Sequence, residues 1–146
     1  MKYGHKLSDA VHILVYVEMF KHGDLSSKSI AESVESNPSL IRRLMSTLAK
    51  AGLLQTTPGT VQPRLARPAS EISLADVYAA IEPGERLLHV DEKTNPRCPV
   101  GGNIQGTLNS VYDRVQHDAL RSMAEVSLQS MIDDVRRREQ ERTDRG

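Results

Sequence analysis

Apolar residues recur at helical spacing through most of the chain, and the breaks between these runs mark its elements. Val11, Leu14, Val15 and Met19 lie three or four apart after Ser8, a residue able to cap a helix, and the run stops near Gly23. A narrower stripe of Ile30, Ala31 and Val34 follows a candidate N-cap at Ser26, and a tight turn is expected at Glu35 and Ser36. Asn37 then caps a third helix with Pro38 in its first position, where the missing N–H costs nothing and the fixed φ is already helical. Leu40, Ile41, Leu44, Met45 and Leu48 face inward there, which leaves Ser39, Arg42, Arg43, Ser46 and Lys50 on the outer side. Gly52 ends the helix. Between Leu53 and Arg67 the turn signal Pro58-Gly59 separates two short segments that can pair as a hairpin.

Downstream, Ser73 with Asp76 three residues on forms an approximate capping box ahead of Val77, Ala80 and Ile81, and Glu82-Pro83-Gly84 closes that helix. Pro96, Pro99, Gly101 and Gly102 break any period between Glu85 and Gly102, which predicts a loop containing Cys98. Ile104, Leu108, Val111, Val115, Ala119 and Met123 then keep helical spacing over about five turns. Ser127 opens a further amphipathic segment with Leu128, Met131, Ile132 and Val135, and the mixed-charge ending "RRREQERTDRG" predicts a disordered tail. Two helices joined by a short turn, then a third element with a basic outer face, and then a hairpin follow the order of a winged helix-turn-helix. The expected fold is mainly α with a small β-hairpin wing: a winged helix-turn-helix domain over 1–84, a sensor-type loop over 85–102, long dimerisation helices over 103–138 and a disordered tail over 139–146.

With 146 residues the chain can hold one domain with a real core, or a small domain with an appendage. One Phe, four Tyr and no Trp leave that core to Leu, Ile, Val, Met and Ala. No apolar run reaches the roughly 18 residues of a membrane span, so a cytoplasmic protein without a membrane partner is expected. The single cysteine excludes an internal disulfide and any metal centre or iron-sulfur cluster held only by cysteines of one chain, and no cofactor is expected. The net charge of zero hides an asymmetry: residues 1–72 hold nine Lys/Arg against six Asp/Glu, and residues 73–146 hold ten against thirteen. From Pro38 to Arg67 there are Arg42, Arg43, Lys50, Arg64 and Arg67 and no acid, the footprint of a surface that meets a polyanion.

Double-stranded DNA is the polyanion that the third helix suits. Arg42 and Arg43 can each send a planar guanidinium to guanine O6 and N7 or to a phosphate, and the order of elements does not decide between them. Lys28, Ser39, Ser46 and Lys50 are candidates for phosphate contacts, which position without specifying, and Arg64 and Arg67 extend the basic surface into the hairpin. A solvated face that binds nothing is the plain alternative. Cys98 also has two readings. It is either a sensor thiol, its thiolate favoured by Arg97 and the start of the long helix, or a small packing residue under the loop. His89 with Cys98 could make a nucleophile pair, but no orienting third residue and no glycine-rich phosphate loop accompany them, so an enzyme is not expected. The stripe from Ile104 to Met123 is more economically a seam between two copies than part of one chain's core. A winged-helix module that binds protein and not DNA is the competing function.

The stretches "IAESVESNPSLIRRLMSTLAKAGLL", "LAR" and "ISLADVYAAIE" resemble the Rrf2 family of bacterial transcriptional regulators, and "LSDAVHIL" and "CPVGGNI" are most similar to its YwnA-like subgroup, which lacks the cluster-binding cysteine trio. The resemblance implies a homodimeric winged-helix repressor or activator that binds an inverted-repeat operator and answers to an oxidant or a small molecule. Members with three loop cysteines hold an iron-sulfur cluster; with Cys98 alone that cofactor is not carried over. Arg42 stands where members often have Glu, and "TTPGTVQPR" replaces the family's glycine-rich wing with its arginine tip.

Overall fold

The computed structural model describes residues 4–56 and 62–146. Helix α1 (Lys6–Met19) is central to it, burying Ala10, Ile13, Leu14, Val15 and Val17. It starts ahead of Ser8, the expected cap, from an exposed His5 whose side chain makes no capping bond; its first N–H groups face water and need none. It also ends before the expected stop near Gly23, and the Gly23 N–H instead closes a turn onto the Phe20 carbonyl.

Helices α2 (Ser27–Val34) and α3 (Pro38–Lys50) begin as the pattern predicts. The Ser26 hydroxyl accepts from the Ser29 N–H at 3.2 Å, and Asn37 Oδ1 accepts from the Leu40 N–H at 2.9 Å. Between them Glu35 takes a left-handed φ of 59°, and the Ser36 N–H reaches the Ala31 carbonyl at 2.9 Å, so the chain reverses within two residues. Gly52, at φ 77°, ends α3 in the same way, with the Leu53 N–H on the Leu48 carbonyl at 3.0 Å. Ile41, Leu44, Met45 and Leu48 of α3 are buried, Leu40 is half-buried, and Ser39, Arg42, Arg43, Ser46 and Lys50 are exposed. Strands β1 (Leu54–Gln55) and β2 (Arg64–Leu65) pair antiparallel, Leu54 opposite Leu65. The turn expected at Pro58-Gly59 lies outside the described residues.

A 3₁₀ turn at Ala69–Glu71 leads to α4 (Leu74–Ile81), whose capping box is complete in both directions between Ser73 and Asp76. Residues 82–103 contain no helix or strand, and then α5 (Ile104–Ala124) and α6 (Leu128–Arg145) finish the chain. Two features here run past the sequence pattern. First, α6 returns to the N-terminal half: Leu128 and Ile132 are fully buried in the same core as Ile13, Leu48 and Val77. Its start is fastened to the start of α4 by a single antiparallel bridge, in which the Leu74 N–H donates to the Val126 carbonyl at 2.8 Å and the Leu128 N–H to the Ile72 carbonyl at 2.7 Å. Second, residues 139–146, expected as a disordered tail, continue α6 as far as Arg145. Arg137 pairs with Asp134 and Glu141, Arg138 with Asp134, and Arg142 with Glu139, all three or four residues apart. Charges that alternate at this spacing support a solvated helix. The paired arginines hold the Asp134 carboxyl below its ordinary pKa, Arg138 most of all.

Helix α5 does the opposite of α6. None of its side chains is buried, and Val111, Val115 and Leu120 are 38%, 41% and 36% exposed.

If α6 belongs to the core, Ile132→Ala will cost about 2–5 kcal/mol, the range for deleting a buried aliphatic side chain, whereas truncating the exposed Val135 one turn on will cost far less. Urea unfolding of the two variants measures the difference.

Candidate nucleic-acid interface

The outer face of α3 owes its character to how the helix is held. Asn37 and Pro38 fix its first turn, Gly52 its last, and the Ile41, Leu44, Met45 and Leu48 stripe sets its rotation on the core. At 100° per residue, the ridge directly opposite that stripe carries Ser39, Arg43, Ser46 and Lys50, while Arg42 leans to one side by about 70°. On that side a shallow groove of about 510 Å³ is lined by Ser27 of α2, by Arg42, Met45, Ser46, Ala49 and Lys50 of α3, and by Thr56 just after β1. It has two cations, three hydroxyls and no carboxylate. Arg42 Nη2 reaches the Ser39 hydroxyl at 3.4 Å, and Thr47 spends its hydroxyl on the Arg43 carbonyl at 3.1 Å.

Of the residues proposed from sequence, Ser39, Arg42, Arg43, Ser46 and Lys50 thus form one exposed surface. Among the described residues, none of its three cations is within ion-pair distance of an acid. Lys28 is exposed on α2 but does not line the groove; Ser27 does, and so does Thr56, and as both lie off α3 no spacing along that helix points to them. Arg64 is half-buried in β2 and donates to the Pro63 carbonyl at 2.9 Å. Arg67 lies 3.4 Å from Asp76 of α4, so the acid-free stretch of sequence acquires an acid in space. At the start of α2 the Asp24 carboxylate accepts from the Ser29 hydroxyl and the Ser26 N–H, which holds its pKa below the usual carboxylate range.

The sequence profile of the Rrf2 family, described as iron-dependent transcriptional regulators, matches residues 3–134. The chain belongs to the Rrf2 family. It is 37% identical over 127 residues to YwnA of Bacillus subtilis, a provisionally named HTH-type transcriptional regulator, covering 87% of this chain and 94% of YwnA. YwgB of the same organism, named likewise, is 29% identical over 143 residues, 92% of this chain and 86% of that protein. Among solved structures, a protein provisionally described as DNA-binding superposes with a TM-score of 0.71 at 34% identity, over 87% of this chain and 98% of its own. The global cysteine regulator CymR of B. subtilis superposes with a TM-score of 0.67 at 18% identity, over 91% and 97%, and shares the fold. This Rrf2 protein is a transcriptional regulator on a winged-helix frame, and its relatives are regulators, not enzymes.

The iron of the family description does not fit the donors present. Cys98 is the single cysteine, and among the described residues no three side chains of His, Cys, Asp or Glu gather as a metal would require. Cys98 sits half-exposed in the loop ahead of α5. The N–H groups of Gly101 and then Val100 lower its thiol pKa, a backbone cause where the sequence suggested Arg97 and the helix terminus. No helix among the described residues is long and apolar enough to cross a membrane.

N–H donors that stabilise the thiolate make it form at lower pH in the folded protein than in the unfolded chain. The pH profile of alkylation by iodoacetamide is therefore expected to have its midpoint below that of the same protein in denaturant. Coincident midpoints would remove the Gly101 and Val100 contacts.

Proposed function

We propose that this regulator binds an inverted-repeat operator in double-stranded DNA as a homodimer, with α3 in the major groove and α5 as the seam, and that it works in the cytoplasm. The observation that carries the DNA contact is the exposed surface of Arg42, Arg43 and Lys50 with Ser39 and Ser46, unpaired by any acid among the described residues, on a helix whose position and rotation are held at both ends. Lys28, exposed on α2, and Arg64, in β2, are secondary contacts in this reading. Arg67 contributes less, because Asp76 offsets its charge.

The dimer rests on α5. A helix of 21 residues is about 31 Å long, whereas α4, the helix that it contacts in its own chain, is about 12 Å. More than half of α5 therefore runs past that helix, and Val111 and Val115, one turn apart, face outward together along it. In a two-fold dimer the same stripe from a second copy covers them. The effector belongs to one of two classes, an oxidant or a small molecule, and the lowered thiol pKa of Cys98 supports the first.

Selection of bound duplexes from a random pool should return an inverted repeat with half-sites a multiple of about 10 base pairs apart. Affinity for it should fall steeply with salt, with a slope near −0.9 per phosphate neutralised. A module that docks on a protein through apolar surface would select no duplex and show little salt dependence.

Placing a charge on the seam, as in Val111→Asp with Val115→Asp, should convert the dimer expected in sedimentation at micromolar protein into a monomer without lowering helicity, because both side chains are exposed within one chain. A wild type that sediments as a monomer would end the dimer proposal.

A further inference from the structure

The two adjacent arginines of α3 do not occupy equivalent places, and the difference assigns them different tasks. We infer that Arg43 reads a base and that Arg42, with Lys50, Ser27 and Thr56, seats a backbone phosphate beside it. This rests on the DNA-binding reading above and adds to it which residue carries the specificity.

A helix lying in the major groove points one ridge at the base edges, and the residues on its flanks meet the phosphate strands that wall the groove. The ridge farthest from the buried stripe of α3 carries Ser39, Arg43, Ser46 and Lys50, and Arg43 lies within about 30° of it. Its guanidinium makes no hydrogen bond to another side chain among the described residues, so both of its edge N–H groups can go to guanine O6 and N7. Thr47 and Ser39, one turn to either side of Arg43, leave it room that a bulky neighbour would take.

Arg42 is placed otherwise. It lines the groove between α2, α3 and the end of β1, where Ser27 and Thr56 come from different elements and so fix a concave seat that one helix cannot make by itself. Two cations with three hydroxyls and, among the described residues, no carboxylate suit a phosphodiester, whose oxygens accept from all of them. A base edge offers at most two adjacent acceptors, as at guanine O6 and N7, and so uses only part of such a set. Arg42 Nη2 also reaches the hydroxyl of Ser39 at 3.4 Å, so its guanidinium borders the ridge from the groove side. Lys50 stands on both surfaces, one full length of the helix from Ser39, and as a point charge it serves a phosphate better than a base.

The test uses the full chain as wild type, Arg42→Ala and Arg43→Ala, with the duplex selected from the random pool and a scrambled duplex of equal length, across a salt series. Both side chains are exposed, so unfolding midpoints should match the wild type and certify the fold. Arg43→Ala is expected to lose about 10- to 100-fold on the selected duplex and little on the scrambled one, with the salt slope nearly unchanged. Arg42→Ala is expected to lose equally on both duplexes, to keep their ratio, and to show a salt slope shallower by about 0.9. A fall in the ratio for Arg42→Ala, or an equal loss on both duplexes for Arg43→Ala, overturns the assignment while leaving DNA binding intact. A wild type that selects no duplex overturns the DNA-binding reading itself.

Discussion

The bridge between the chain at Ile72–Leu74 and the chain at Val126–Leu128 governs much of this architecture. It makes two short hydrogen bonds, and directly beyond it Leu128 and Ile132 enter the core. Ser73 and Ser127, the bridged residues, are also the caps of α4 and α6, so two helices start side by side. Once those starts are fixed, α5 has to leave the end of α4 through the loop and come back to the bridge. It arrives as a long helix lying against a short one, and the unmatched length leaves Val111 and Val115 exposed. Closing the core with α6 and leaving α5 uncovered are two consequences of one constraint.

The same packing explains how a chain of zero net charge presents a basic surface. Asp24 and Asp76 are engaged at helix starts, Asp76 with Arg67 as well, and Asp134, Glu139 and Glu141 pair with arginines along α6. Exposed pairs of this kind add little to stability, but they decide where charge is neutralised. The face of α3 is left positive because no described acid reaches it.

Much of this was legible before the structure. The caps at Ser26, Asn37 and Ser73, the helix start at Ser127 and the reversal at Glu35 are local chemistry, written in a few adjacent residues, and each took its expected place. The inward and outward faces of α3 followed from spacing alone. What could not be read were contacts between residues distant in sequence. The pairing of Arg67 with Asp76, the seat formed by Ser27 and Thr56 beside Arg42, and the return of α6 to the core depend on packing that no local pattern encodes. The end of α6 shows a different limit. A run of mixed charge reads as a solvated coil by composition, and only the three- and four-residue spacing of its opposite charges distinguishes a helix.

The loop ahead of α5 is tied too firmly to be a passive connector. The Thr94 hydroxyl donates to the Gly101 carbonyl at 2.6 Å, the Gly102 N–H to the Cys98 carbonyl at 2.8 Å, and Asn103 Nδ2 to the Pro99 carbonyl at 2.7 Å. At Gly101 a Cβ would stand 2.3 Å from the Asn95 carbonyl oxygen, so the backbone passes there without room for a side chain. Farther back the loop lies along α5 itself: Arg86 pairs with Asp113, the Leu87 N–H donates to Gln116 Oε1 at 2.9 Å, and Gln105 Nε2 donates to the Asp91 carbonyl at 3.0 Å. Cys98 therefore sits in a frame whose bonds end at the first turn of α5, while the earlier part of the loop is tied to the middle of that helix. A group added to its sulfur would compete for the N–H groups of Gly101 and Val100, which lie three residues or so before that helix begins. The loop around Cys98 and the first turn of α5 thus form one hydrogen-bonded unit.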